Sequence, residues 1–237
     1  MLVAATVCPH PPVLVPVVAS GAAADLADLR RICHESVRRL ADTRPDRIVV
    51  VGGGSTPGEW SGHAGGSLAA YGVDVSFGGE DMGLPLSLTV GCHLLDEAGW
   101  PAGRRGFVAV SDATEPRECA VIGSRLVAGA DRVALLVMGD GSAKRTLTSP
   151  GYFDERAIGY DDRVVNALDK GDCDALLELT PELAQELWVA GRPAWQVLAG
   201  AGRAAYDAGG TVQATVRYAD APYGVGYTVV DWLVSSA

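Results

Sequence analysis

Short apolar runs and longer stretches with helical spacing alternate along the chain. Residues 2–7, 47–51, 73–77, 106–110 and 132–138 are brief aliphatic or β-branched runs bounded by Gly, Pro or polar residues, as buried strands are. Residues 22–42 carry Leu26, Leu29, Ile32, Cys33, Val37 and Leu40 at helical spacing, with arginines and acids between them. Residues 84–98 place Leu88, Cys92 and Leu95 on one helical face, and residues 116–128 form a further helix opened by acidic residues at 112–115. This alternation predicts an α/β fold whose mainly parallel central sheet is flanked by helices on both faces. Residues 153–168, 172–179, 181–187 and 194–207 read as consecutive helices. The runs 211–218 and 225–234 then close the chain as a C-terminal β-hairpin, joined through Asp220, Ala221, Pro222, Tyr223 and Gly224.

Composition narrows the classes available. A chain of 237 residues suits one α/β domain over residues 1–237 and is short for two. The formal net charge of −10 and a pI near 4.8 repel a phosphate backbone, so nucleic acid is excluded as a main partner. The apolar start has no basic leader and is interrupted by prolines well short of a membrane-spanning length. A cytoplasmic protein with no membrane partner is expected. Cys8, Cys33, Cys92, Cys119 and Cys173 stand singly with no CxxC pair, which predicts small buried residues instead of disulfides or a zinc ribbon. The five tryptophans, at 60, 100, 188, 195 and 232, are expected to pack in the interior.

Candidate chemistry sits at the carboxyl ends of the predicted strands, where ligands bind in open α/β sheets. His10 follows the first strand and is held between Pro9, Pro11 and Pro12, which fix an extended backbone on both sides of it. The second strand ends in Gly52, Gly53, Gly54 and Ser55. Its spacing fits neither a dinucleotide loop nor a P-loop, because Pro57 stands where a third glycine is needed and no Gly-Lys-Ser/Thr follows. Residues 62–66 read as a flexible loop that carries His63. The strand 132–138 ends in Gly139, Asp140, Gly141 and Ser142, which makes Asp140 and Ser142 a second pair of pocket candidates. His34 is expected to face solvent, and His93 to be packed or on the surface.

Five stretches carry a resemblance that covers nearly the whole chain: PHPP with a Leu-Val-Pro tail at 9–16, the strand and glycines at 47–57, VMGDGS at 137–142, FDERAIGYDDRVVNAL at 153–168 and AGRPAW at 190–195. In their order and spacing the chain resembles the class III extradiol ring-cleaving dioxygenases, the LigB-like family. The resemblance implies that fold, and ferrous iron held by two His and one carboxylate with open positions for a catechol and O₂. It also implies a further His as acid/base and an assembly of subunits. His10 matches the first iron-binding His. Gly54 falls where the second belongs, Ala143 follows GDGS where the acid/base His belongs, and the late strand offers only Asp231 in place of the usual Glu.

Iron on a lone imidazole binds weakly, since affinity comes from several ligands placed together. The first expectation is therefore a protein of this fold without ring-cleaving activity and with no cofactor, binding a small molecule or a protein partner in a pocket lined by His10, Gly54, Ser55, Asp140, Ser142 and Tyr223. The alternative is an active Fe(II)-dependent extradiol dioxygenase whose metal ligands are His10, His63 and either Asp140 or Asp231. A second alternative is a metal-free hydrolase or transferase with Ser55 or Ser142 as nucleophile and His10 as base. The apolar stretch 223–234 is either an edge shared in a homo-oligomer or a buried strand.

Overall fold

The computed structural model describes residues 1–19, 24–129 and 131–235. In chain order they form β1 (Leu2–Cys8), α1 (Pro16–Ala19), α2 (Ala27–Asp42), β2 (Arg47–Gly53), β3 (Gly58–Ser61), β4 (Ala64–Ser67), β5 (Ser76–Gly78), β6 (Asp81–Met82) and α3 (Leu86–Glu97). There follow β7 (Arg105–Val110), α4 (Pro116–Leu126), β8 (Val133–Met138), α5 (Arg156–Lys170), α6 (Cys173–Leu177), α7 (Pro181–Glu186), α8 (Arg192–Asp207), β9 (Thr211–Asp220) and β10 (Tyr227–Ser235). The helix expected over 22–42 begins at Ala27, and its first two expected residues, Ala22 and Ala23, lie outside the described residues.

The main sheet has the order β3-β7-β2-β8-β1-β10-β9. Its four central strands, β7, β2, β8 and β1, are parallel, while β3 and the C-terminal pair β9 and β10 add antiparallel edges. The fold is thus α/β with a mostly parallel sheet and a C-terminal hairpin, as the alternation predicts. Successive side chains of a strand point to opposite faces, and here both faces are covered. Val49, Val51, Leu135 and Val137 pack with α4 to α8, whereas Ile48, Val50, Leu136 and Met138 pack with α2 and α3. All five cysteines are free and buried.

This division of the helices creates the site. From β2 the chain passes to α3 on one face, whereas from β7 and β8 it passes to helices on the other. Loops that part in this way leave a crevice beyond the carboxyl ends of neighbouring strands.

Residues 62–66 are not a flexible loop. Ala64–Ser67 forms β4, which pairs with β5 and β6 in a small second sheet. The glycines serve close approach: a Cβ on Gly65 would stand 2.1 Å from the Gly79 carbonyl oxygen, and one on Gly66 1.9 Å from Thr89 Oγ1. The strand expected over 73–77 is shorter and later, at Ser76–Gly78. His34 is half-buried instead of solvent-facing, edge-on to the buried His93, which packs on Phe77. Burial lowers both imidazole pKa values, against the pull of Glu97.

Candidate functional site

The parallel ladder brings the loops after β1 and β8 together. The Gly139 N–H donates to the Cys8 carbonyl at 2.9 Å, extending the pairing by one step, so the next residues, His10 and Asp140, face each other. The His10 backbone N–H donates to Asp140 Oδ1 at 2.7 Å. The imidazole is 9% exposed, and its Nδ1 lies 3.8 Å from the same oxygen, too far for a hydrogen bond, and has no partner. Burial pushes the Asp140 carboxyl above the usual range, opposed by His10 through its charge and its N–H.

Beyond β2 and β7 lies a cavity of about 610 Å³, whose walls include Ser55, Asp112, Trp188 and Arg192. Two contacts set its geometry. A Cβ on Gly53 would stand 3.2 Å from the Ala190 carbonyl oxygen and 3.3 Å from Asp112 Oδ1, so the end of β2, the loop after β7 and the entry to α8 meet at one point. The Gly191 N–H donates to the Asp140 carbonyl at 2.9 Å, tying the entry of α8 to the loop after β8. Asp112 is open to the groove, yet the atoms crowding its carboxyl raise its pKa, against the pull of Arg192 and then His10.

The expected pocket residues divide sharply. Gly54 and Ser55 line this cavity; His10 and Asp140 adjoin it and are not in its wall. A side chain at Gly54 would press on Ala109 and on Pro85, each 3.2 Å from the Cβ position, so packing favours glycine where the resemblance places a His. Ser142 is no nucleophile and no pocket residue. It is fully buried, its Oγ donates to the Leu187 carbonyl at 2.7 Å and accepts the Lys144 N–H, and its own N–H donates to Asp161. Tyr223 is not in the cavity wall either; its hydroxyl donates to Asp25 Oδ2 at 3.1 Å. Ser55 is exposed, and among the described residues no His hydrogen-bonds to it.

The expected metal ligands do not assemble. β3 runs antiparallel to β7 from Gly58, opposite Ala109, to Ser61, opposite Gly106, and so delivers the exposed His63 to the amino-terminal edge of the parallel strands. His10 stands at the carboxyl edge. Asp231 pairs across from Thr6 in mid-strand, accepts from Thr6 Oγ1, and is held by Arg39 Nε at 3.0 Å and Arg217 Nε at 2.9 Å. Among the described residues no three His, Cys, Asp or Glu side chains are grouped to share a metal. The donor set does not fit a two-His, one-carboxylate centre.

Sequence reasoning missed Asp112, Trp188 and Arg192. Asp112 obeys the rule that found Asp140, since it follows a strand by two residues, but its acidic neighbours read only as a helix opening. Arg192 sits in the AGRPAW stretch as the first residue of α8, an unfavourable place for a cation beside the positive end of a helix. That mismatch was the available sign. Trp188, expected in the core, is 56% exposed and adopts a φ of 54°.

No family model matches the chain, and no curated protein matches it. Among solved structures it is similar to the uncharacterized protein JW3007 from Escherichia coli K12, at 14% sequence identity and a TM-score of 0.51, over 97% of this chain and 99% of that one. What the two share is the fold. Among the described residues, no helix is long and apolar enough to cross a membrane.

Proposed function

We propose that this chain is a small-molecule-binding protein on an extradiol-dioxygenase-like scaffold, without ring-cleaving activity, and that its ligand occupies the cavity beyond β2 and β7. One observation carries the reading. The loops after β2 and β7 and the entry to α8 form the cavity and the loops after β1 and β8 adjoin it, yet of the expected iron ligands only His10 and Asp140 stand at that edge of the sheet, where they contact each other. A general acid/base absent from its place costs about 10²–10⁴-fold in rate, so a scaffold with Ala143 at that place has little ring-cleaving chemistry to offer.

The test is anaerobic loading with ferrous iron, followed by catechol and O₂. Less than one tightly held equivalent of iron and no O₂ uptake are expected, with the same metal content in wild type, His10→Ala and His63→Ala. One tight equivalent together with O₂ consumption overturns the reading.

A further inference from the structure

We propose that Arg192 and the uncapped first turn of α8 form a receptor for a single negative charge, so that the cavity takes a small monocarboxylate with an apolar body. This deepens the ligand-binding reading above and rests on it.

Arg192 is only 1% exposed although it lies in the cavity wall. A guanidinium cannot shed its charge in a protein, and a buried charge is costly unless something of opposite sign meets it. Among the described residues no carboxylate forms an ion pair with it; the Asp112 carboxyl attracts it only from beyond contact distance and is itself open to solvent. Nη1 donates to Gln196 Oε1 at 2.6 Å and Nη2 donates to the Asp112 carbonyl, both uncharged acceptors. Among the described residues no carboxylate comes within 4.0 Å of it. Of the five N–H bonds, those two have acceptors and the others remain for a ligand.

The cation is also fixed. Gln196 is fully buried and its Nε2 donates to the carbonyls of Leu176 at 3.1 Å and Leu179 at 2.7 Å, which leaves its oxygen directed at Arg192. α8 is 16 residues long and opens at Gly191 with no side chain capping it, so its first N–H groups add positive potential beside the guanidinium. A receptor held this way spends little on ordering when an anion arrives.

The rest of the cavity selects among anions. Asp112, Glu115 and Glu182 also line it and repel any anion, a dianion about twice as strongly as a monoanion, which favours a carboxylate over a phosphate dianion. Trp188 stands exposed at the same wall in the left-handed region, a conformation unfavourable for a bulky residue, with the Lys144 ammonium 5.6 Å from its ring centre. With Ala184, Val189 and Pro193 it supplies an apolar surface for the ligand body.

The experiment is a titration of the ¹⁵N-labelled full chain with benzoate, neutral benzamide and inorganic phosphate at pH 8, followed at the Arg192 Nε–H and the cavity-wall amides. Saturable benzoate shifts are expected, with benzamide and phosphate each about tenfold weaker or more, the ratio one charge-assisted hydrogen bond sustains. Arg192→Met is expected to lose benzoate binding by a similar factor. The ratios measured on the unaltered chain decide the matter even if that variant fails to fold. Equal binding of benzoate and benzamide, tighter phosphate, benzoate binding unchanged in a folded Arg192→Met, or no shift with any probe overturns the receptor. None of these outcomes restores ring cleavage, whereas O₂ uptake by the iron-loaded protein would overturn the broader reading alone.

Discussion

Asp231 and Arg192 are charged residues drawn into the same protein and treated in opposite ways. Asp231, on the central face of the C-terminal hairpin, is met by two guanidinium groups and a hydroxyl. Arg192, at the entry of α8, is more deeply buried and hydrogen-bonds only to neutral oxygens. A saturated charge ties elements together: Asp231 joins β10 to β1, α2 and β9. An unsaturated one, kept rigid beside a cavity, is costly to the free protein and useful only when a ligand completes it. Asp161 belongs with Asp231, since it accepts the Ser142 N–H at 2.9 Å and pairs with Arg145 at 3.3 Å, beneath the glycines that flank the site.

The largest effect expected from this contrast is at Asp161. Burial dominates its surroundings and pushes its pKa up to about 6, despite the Ser142 and Arg145 bonds. A carboxyl whose folded pKa exceeds its unfolded value of about 3.9 favours the folded state while protonated, and that advantage fades as pH rises between the two values. Asp161→Asn removes the titration. Comparing urea unfolding of the variant and wild type, the difference is expected to move by about 2 kcal/mol in favour of the variant between pH 4 and pH 7. A difference that stays constant with pH would mean that the pairing with Arg145 outweighs burial.

Asp231→Ala comes next. It strands Thr6, Arg39 and Arg217, but both arginines are over a third exposed and partly screened, so a loss of about 1–2 kcal/mol is expected, with cavity binding intact. Arg192→Met is its converse: replacing an uncompensated buried cation with an apolar chain is expected to leave stability within about 1 kcal/mol of wild type or above it. A loss of several kcal/mol on urea unfolding would place Arg192 among the structural charges and erase the contrast. Trp188→Gly is the smallest change. Relief of the φ of 54° offsets the added freedom of the unfolded chain, so stability within about 0.5 kcal/mol is expected, together with weaker benzoate binding.

Most of the scaffold was legible because burial writes a period into the chain. β8 is apolar at every position and β2 is apolar after its opening Arg47, since both faces are covered, and that read directly as central strands. α5 and α8 showed equally clearly through their apolar faces. β4 did not, because a strand of Ala, Gly, Gly and Ser carries no hydrophobic alternation, and its glycines look like freedom when they are in fact close packing. The site was half legible for a related reason. His10, Gly54, Ser55 and Asp140 were found by their place after strands, a property of the line of sequence. Ser142 passed the same test, and only its enclosure by Leu187, Lys144 and Asp161 shows it to be a structural pin.

The order of residues alone determined the layers of this protein, the stiff turn that holds His10 and the acidic surface, since these follow from periodicity, proline geometry and summed charge. Tertiary structure decided which polar groups meet. It sent His63 and His10 to opposite edges of one sheet, surrounded Asp231 with guanidinium groups, and left Arg192 hydrogen-bonded to uncharged oxygens alone. The reason is that pairing of charges depends on distances set by strand order and by which face each helix takes. The neighbours of Arg192 include Asp112, eighty positions away along the chain, and no local pattern encodes a separation of that kind.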